Sequence, residues 1–181
     1  NFENGPGSFR FGLGANYFTN RGESMTASEL FVHPNYSGFG GVGNDLALLY
    51  FENPFTTVAP INLYQDAVVK GMDTTIVGYG RLHNLNESTE VLTGDRRAGE
   101  NALSSSNVFG PDYAVTRLRS SSSLDFRELG MGATHGDSGG ALLIDDLLYG
   151  ITSTATIGVF DYAQITTYNL LDSDWISTTM A

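Results

Sequence analysis

The sequence predicts an all-β fold ending in one short helix. Three observations carry this. Short apolar or alternating runs recur along the whole chain, they are rich in β-branched and aromatic residues, and clusters of Gly, Asn, Asp and Pro separate them. Such runs at such spacing indicate a sandwich or a barrel.

The expected strands, in order, are "FRFGLGANYF" (9–18), "SELFVH" (28–33), "DLALLYF" (45–51), "TTIVGYG" (74–80), "DYAVTRL" (112–118), "ALLI" (141–144), "LLYGITS" (147–153) and "YAQITTY" (162–168). The first three and the last alternate or bunch apolar residues over strand-like lengths, and "TTIVGYG" is mostly β-branched up to its glycines. "ALLI" and "LLYGITS" flank Asp145-Asp146 and read as a hairpin turning there. Serine-rich "SSSNVFGPD" and "RSSSSLD" read as surface loops. Only "NLLDSDWISTTM" (169–180) has helical spacing, with Leu170, Leu171, Trp175 and Ile176 on one side and Asp172 to Asp174 near the start, where acidic residues favour a helix N-terminus.

Composition removes several functions. Nine Lys+Arg against twenty Asp+Glu give a net charge of -11, which repels polyanions, so nucleic acid and acidic membrane surfaces are poor partners. With no cysteine there is no disulfide, thiolate metal site or cysteine nucleophile. No run approaches a membrane span. No metal or other cofactor is called for. At 181 residues the chain is long enough to bury a core as one domain or two small ones.

Chemistry concentrates in Gly136-Asp137-Ser138-Gly139-Gly140. As G-x-S-x-G this fits the nucleophile elbow of an α/β-hydrolase, but that arrangement needs a histidine after the serine and a helix behind it. No histidine follows Ser138, and a hairpin does. "GDSGG" followed by a hydrophobic hairpin resembles instead the nucleophile segment of the chymotrypsin-like (trypsin-fold) serine proteases, and "VHPNYSGFGGVGNDLALLYFENPF" resembles the stretch carrying their triad aspartate, with Asp45 in "NDLALL". "IVGYG", "LLYGITS", "GVFDYAQI" and "DSDWI" are similar to the family's G-W-G strand, substrate-binding strand, pocket-closing strand and C-terminal helix start. Asp45 and Ser138 stand 93 positions apart, the spacing of the family's acid and nucleophile.

The resemblance implies a double β-barrel, its first barrel incomplete, with residues 1–65 as the remainder of the N-terminal barrel carrying Asp45 and residues 66–181 as the C-terminal barrel with the nucleophile, pocket and helix. It implies acyl transfer: Ser138 attacks, a histidine moves the proton, Asp45 orients that histidine, and the N–H groups of Gly136 and Ser138 form the oxyanion hole. It puts Gly132 at the floor of the primary pocket, Ala155 and Gly158 at its walls, His135 at its rim, and Ser153 and Ala155 along an extended substrate. With no carboxylate at the floor, an apolar or small acyl side chain is expected. Asp137 takes a structural part, pairing in the family with a processed N-terminal ammonium.

The family's histidine falls 45 positions before its aspartate, which here lands immediately before Asn1. The chain is therefore expected to begin just after the base, with an N-terminal segment of the same precursor, or a homodimer partner that pairs its strand edges, as the expected partner. Of the three histidines present, His33 is expected to be structural and His83 exposed, while His135, three residues before Ser138, is both a rim residue and the candidate surrogate base. The leading expectation is a secreted hydrolase of peptide and ester bonds. A carboxylesterase on the same scaffold and an inactive homologue that binds a partner through its cleft are the alternatives.

Overall fold

The computed structural model describes residues 6–38, 44–83, 90–105, 112–156 and 164–181. Twelve strands and one α-helix are assigned among them, after a 3-10 turn at Pro6–Ser8. The strands are β1 (Arg10–Gly12), β2 (Ser24–Thr26), β3 (Glu29–Val32), β4 (Ala47–Tyr50), β5 (Asp73–Gly78), β6 (Leu82–His83), β7 (Glu90–Val91), β8 (Arg97–Ser105), β9 (Tyr113–Arg117), β10 (Ala141–Ile144), β11 (Leu147–Ala155) and β12 (Ile165–Leu170). The helix, α1, is Ser173–Thr179.

Six of these strands close into an antiparallel barrel in the order β10-β11-β12-β9-β8-β5, with β5 returning to β10. Closure leaves no open sheet edge to cover. The barrel core is Ile76, Leu103, Ala114, Leu142, Ile144, Tyr149 and Tyr168, all buried. Burying each of the larger aliphatic side chains contributes roughly 1.5–3 kcal/mol. Tyr168 is fully buried and hydrogen-bonds Thr116 Oγ1 through its hydroxyl at 3.0 Å, so the phenol has a partner inside the apolar interior. Burial pushes its pKa above the ordinary tyrosine value.

The expected hairpin is present. Ile144 pairs with Leu147, and Asp145 and Asp146 both take positive φ (50° and 61°), the mirror-image turn that matches strand twist. The preceding segment contributes two separate ribbons, β1-β2 and β3-β4. Phe11, Phe51 and Phe55 stack edge-on or tilted beside them, with centroids 5.2–6.3 Å apart. Glu23 holds the later chain in place by accepting from the N–H groups of Thr56 and Thr57 and from both their hydroxyls. These bonds, led by that of the Thr57 hydroxyl, lower the Glu23 pKa.

Helix α1 is shorter than the 169–180 expected, because Asn169 and Leu170 complete β12. Asp172 is the N-cap and accepts from Trp175 N at 2.8 Å. It also binds His33 Nε2 at 3.2 Å, and the His33 ring lies edge-on to Trp175 at 4.7 Å, so the helix is tied to the chain just after β3.

Candidate functional site

The segment from Thr134 to Gly140 leads into β10 and is fixed by its own backbone. Asp137 N donates to Thr134 O, Gly140 N to Asp137 O, and Gly139 N to Thr152 O on β11. Gly136 (φ 95°) and Gly139 (φ 84°) occupy conformations that side-chain-bearing residues rarely adopt. Asp137 is buried, and its carboxylate is the staple of the loop, accepting from Gly80 N at 2.7 Å, Thr134 N at 2.9 Å and Thr134 Oγ1 at 3.2 Å. A Cβ on Gly78 or Gly80 would fall 2.0 or 2.3 Å from that carboxyl group, so the glycines of "GYG" make room for it.

The consequence is an exposed Ser138 facing a cleft of about 240 Å³ lined by Ala133, Thr134, His135, Gly136, Ser138 and Thr152 to Ala155. Among the hydrogen bonds of the described residues, neither Gly136 N nor Ser138 N donates to a protein group, and Ser138 Oγ has no partner. Two amides without a protein acceptor thus stand in sequence beside an exposed hydroxyl.

Asp45 approaches from the other half of the chain. It follows Asn44, whose φ of 60° turns the backbone, and its N–H donates to Asn169 Oδ1 at 3.2 Å. Asn169 is completely buried at the end of β12, which makes it a fixed anchor. The Asp45 carboxylate accepts from Ser153 Oγ at 2.8 Å. Because Ser153 lines the cleft with Ser138, one hydrogen bond connects the acid to the wall of the cleft that holds the nucleophile.

His135 is exposed, and its Nδ1 lies 2.8 and 3.0 Å from the two oxygens of Glu90. Glu90 also faces Arg81 Nη1 at 3.5 Å. Among the described residues the imidazole makes no hydrogen bond with Ser138. His33 is buried and engaged at both ring nitrogens, receiving Asn35 N–H at Nδ1 and meeting Asp172 at Nε2, as a structural histidine should be. His83 belongs to β6, and its side chain lies outside the described residues.

Behind Ala133 of the cleft wall, Gly132 and Gln164 pack against each other. Gly132 is buried and does not line the cleft, and a Cβ there would meet Gln164 Oε1 at 2.3 Å. Gln164 is buried and donates through Nε2 to Ala133 O at 2.7 Å, while Ala133 N donates to Thr166 Oγ1 at 3.0 Å. Ala155 lines the cleft as expected of a wall residue, whereas Gly158 lies outside the described residues. Glu90 belongs to no motif, whereas Gln164 lies in "GVFDYAQI", the stretch similar to the family's pocket-closing strand, without being singled out there. The signal for Gln164 was the period-2 alternation that puts 164, 166 and 168 on one face of the last strand.

The family model Trypsin matches residues 2–176. A curated vitellin-degrading protease from Bombyx mori is 26% identical over 153 residues, covering 82% of this chain and 57% of that protein, so the chain spans little more than half of that relative's length. The solved structure of mouse neuropsin, a serine protease expressed in the limbic system of the brain, is similar with a TM-score of 0.72 at 20% identity, over 88% of this chain and 73% of that one. The structural likeness establishes a chymotrypsin-like fold.

Proposed function

This chain belongs to the trypsin family of serine proteases, and from that premise we propose that it hydrolyses peptide and ester bonds by acyl transfer through Ser138. The observation that carries the reading is the cleft itself, where the exposed Ser138 hydroxyl and two unengaged amides share a lining with Ser153, whose hydroxyl donates to the Asp45 carboxylate.

Ser138 Oγ attacks the carbonyl, and the negative charge gathering on its oxygen is met by Gly136 N–H and Ser138 N–H. Loss of one such donor costs about 3 kcal/mol of transition-state stabilisation. Asp45 holds the tautomer of the histidine that accepts the serine proton and stabilises the cation formed. Among the described residues no histidine hydrogen-bonds Ser138 or Asp45. The extended substrate lies along β11 near Ser153 and Ala155, beyond Thr152, whose N–H and carbonyl are taken by Gly140 O and Gly139 N. Secretion is part of the same proposal. No helix among the described residues is long and apolar enough to cross a membrane.

The Glu90 contact favours a second source of the base. A carboxylate on Nδ1 of His135 keeps the proton there and leaves Nε2 with its lone pair, the state in which imidazole accepts a proton.

The test is hydrolysis of p-nitrophenyl esters and casein by the purified protein, with N-terminal sequencing of the same sample. Turnover of both substrates that is lost in Ser138→Ala is the expected result. Activity retained in Ser138→Ala overturns the proposal. Ester turnover alone identifies a carboxylesterase, and absence of both identifies a binding homologue. An ester rate unchanged in His135→Ala removes the second source of the base.

A further inference from the structure

We propose that Tyr113 is a positioning residue for Asp45, its buried hydroxyl holding the carboxylate in the orientation that directs the histidine, an inference that rests on the hydrolase reading above. Tyr113 and Asn169 pair directly across β9 and β12. Their chain neighbours Ala114 and Tyr168 belong to the barrel core, so alternation turns Tyr113 and Asn169 to the outer face of the barrel. The segment carrying Asp45 covers that face, since Asp45 N donates to Asn169 Oδ1. Opposite residues on one face stand roughly 5 Å apart at Cβ, which sets Tyr113 beside the same anchor.

Two donors in this layer lack acceptors. The Tyr113 hydroxyl and Asn169 Nδ2 are buried, and among the described residues neither has a hydrogen-bond partner. A buried donor left unpaired bears its full desolvation cost, so a tyrosine where phenylalanine would fill the same space points to a role outside packing. Burial, with the charges of Asp112 and Asp45, pushes the phenol above its ordinary pKa, and the hydroxyl keeps its proton at neutral pH. Asp112 is exposed and screened by water, whereas Asp45 is half-buried, so the O–H dipole turns toward Asp45.

Asp45 needs such a restraint. Ser153 Oγ donates to its Oδ2, and among the described residues Oδ1 accepts no hydrogen bond, so the Ser153 contact alone lets the carboxylate turn about that bond. A positively polarised O–H on the barrel side, next to the Asn169 bond that fixes the backbone, opposes the turn. It also supports the negative charge against which an imidazolium forms.

The experiment compares the wild type with Tyr113→Phe in steady-state ester kinetics, thermal melts and fluorophosphonate labelling. Carbon NMR of the Tyr113 ring, which needs no turnover, is recorded against pH for the wild type and Asp45→Asn. Removing an unpaired buried hydroxyl relieves its desolvation cost, so Tyr113→Phe should melt at or above the wild-type temperature. Its kcat should nevertheless fall about 3- to 10-fold with KM unchanged. The Tyr113 Cζ resonance should shift in acid as neighbouring carboxylates take up protons, and this shift should shrink in Asp45→Asn.

An unchanged kcat in a labelled Tyr113→Phe overturns the positioning role and leaves the hydrolase reading intact, as does an effect on KM alone. A rate loss accompanied by a lowered melting temperature marks a packing residue and overturns it too. A wild type that neither labels nor turns over esters defeats the hydrolase reading, and the resonance then decides the Tyr113–Asp45 pairing alone. A Cζ shift that shrinks in Asp45→Asn supports the pairing, and one that stays the same overturns it.

Discussion

At the residue scale, the loop depends on one carboxylate and the glycines that admit it. Asp137 satisfies its charge with two backbone amides and a hydroxyl, so its geometry is dictated by groups already in place. Gly80→Ala inserts a methyl group 2.3 Å from Asp137 Cγ, and we expect a loss of about 1–3 kcal/mol, seen as a lowered melting temperature with reduced Ser138 reactivity. Asp45→Asn should lower kcat about 10⁴-fold, because an amide no longer enforces the base's tautomer, and steady-state ester kinetics would show it. The glycines around Ser138 and the room they make for Asp137 are legible in "GDSGG" and "GYG", and the contact of Asp45 with Ser153 is not. Glu90 was not legible either, since it meets His135 through a contact between segments 45 positions apart.

At the element scale, β-branched and aromatic runs were reliable guides where a strand faces the barrel core, as β5, β9, β10 and β11 do. Strand β8, "RAGENALSS", escaped notice because its first half is charged and polar, and it is held by its neighbours β5 and β9 rather than by its own propensity. The boundary of α1 was misread for a related reason. Leu170 and Leu171 match helical spacing, yet Leu170 pairs with Gly150 in the sheet, and the capping Asp172 sets the true start. Asp172→Ala should cost about 1 kcal/mol by removing the cap, lowering the melting temperature by roughly 2–4 °C for a chain of this size. The Asp172 pKa is lowered first by the Trp175 N–H and then by His33. A carboxylate depressed in the folded state stabilises above its unfolded pKa and loses that contribution as pH falls through its folded value. The wild-type advantage over Asp172→Ala should therefore shrink below about pH 4 in acid melts.

At the scale of the whole molecule, stability is unevenly distributed. The closed barrel carries the continuous core, whereas the earlier ribbons leave Phe11, Tyr17, Phe18 and Tyr50 about half exposed. Native-state hydrogen exchange should find the slowest amides in β5 and β8 to β12 and faster exchange in β1 to β4. Equal protection across both would contradict this division. The all-β class was readable from the sequence because alternation reports burial directly, but barrel closure by β5 and β10 joins segments more than 60 positions apart and has no local signature. The site draws on both parts, since Asp45 precedes β4 while Ser138 precedes β10. The most direct test of their partnership is intact-mass and peptide mapping after fluorophosphonate treatment of the wild type and Asp45→Asn. The expected result is a single adduct on Ser138 that forms much more slowly in the variant. An unmodified wild type, or an adduct on any other residue, would contradict the account.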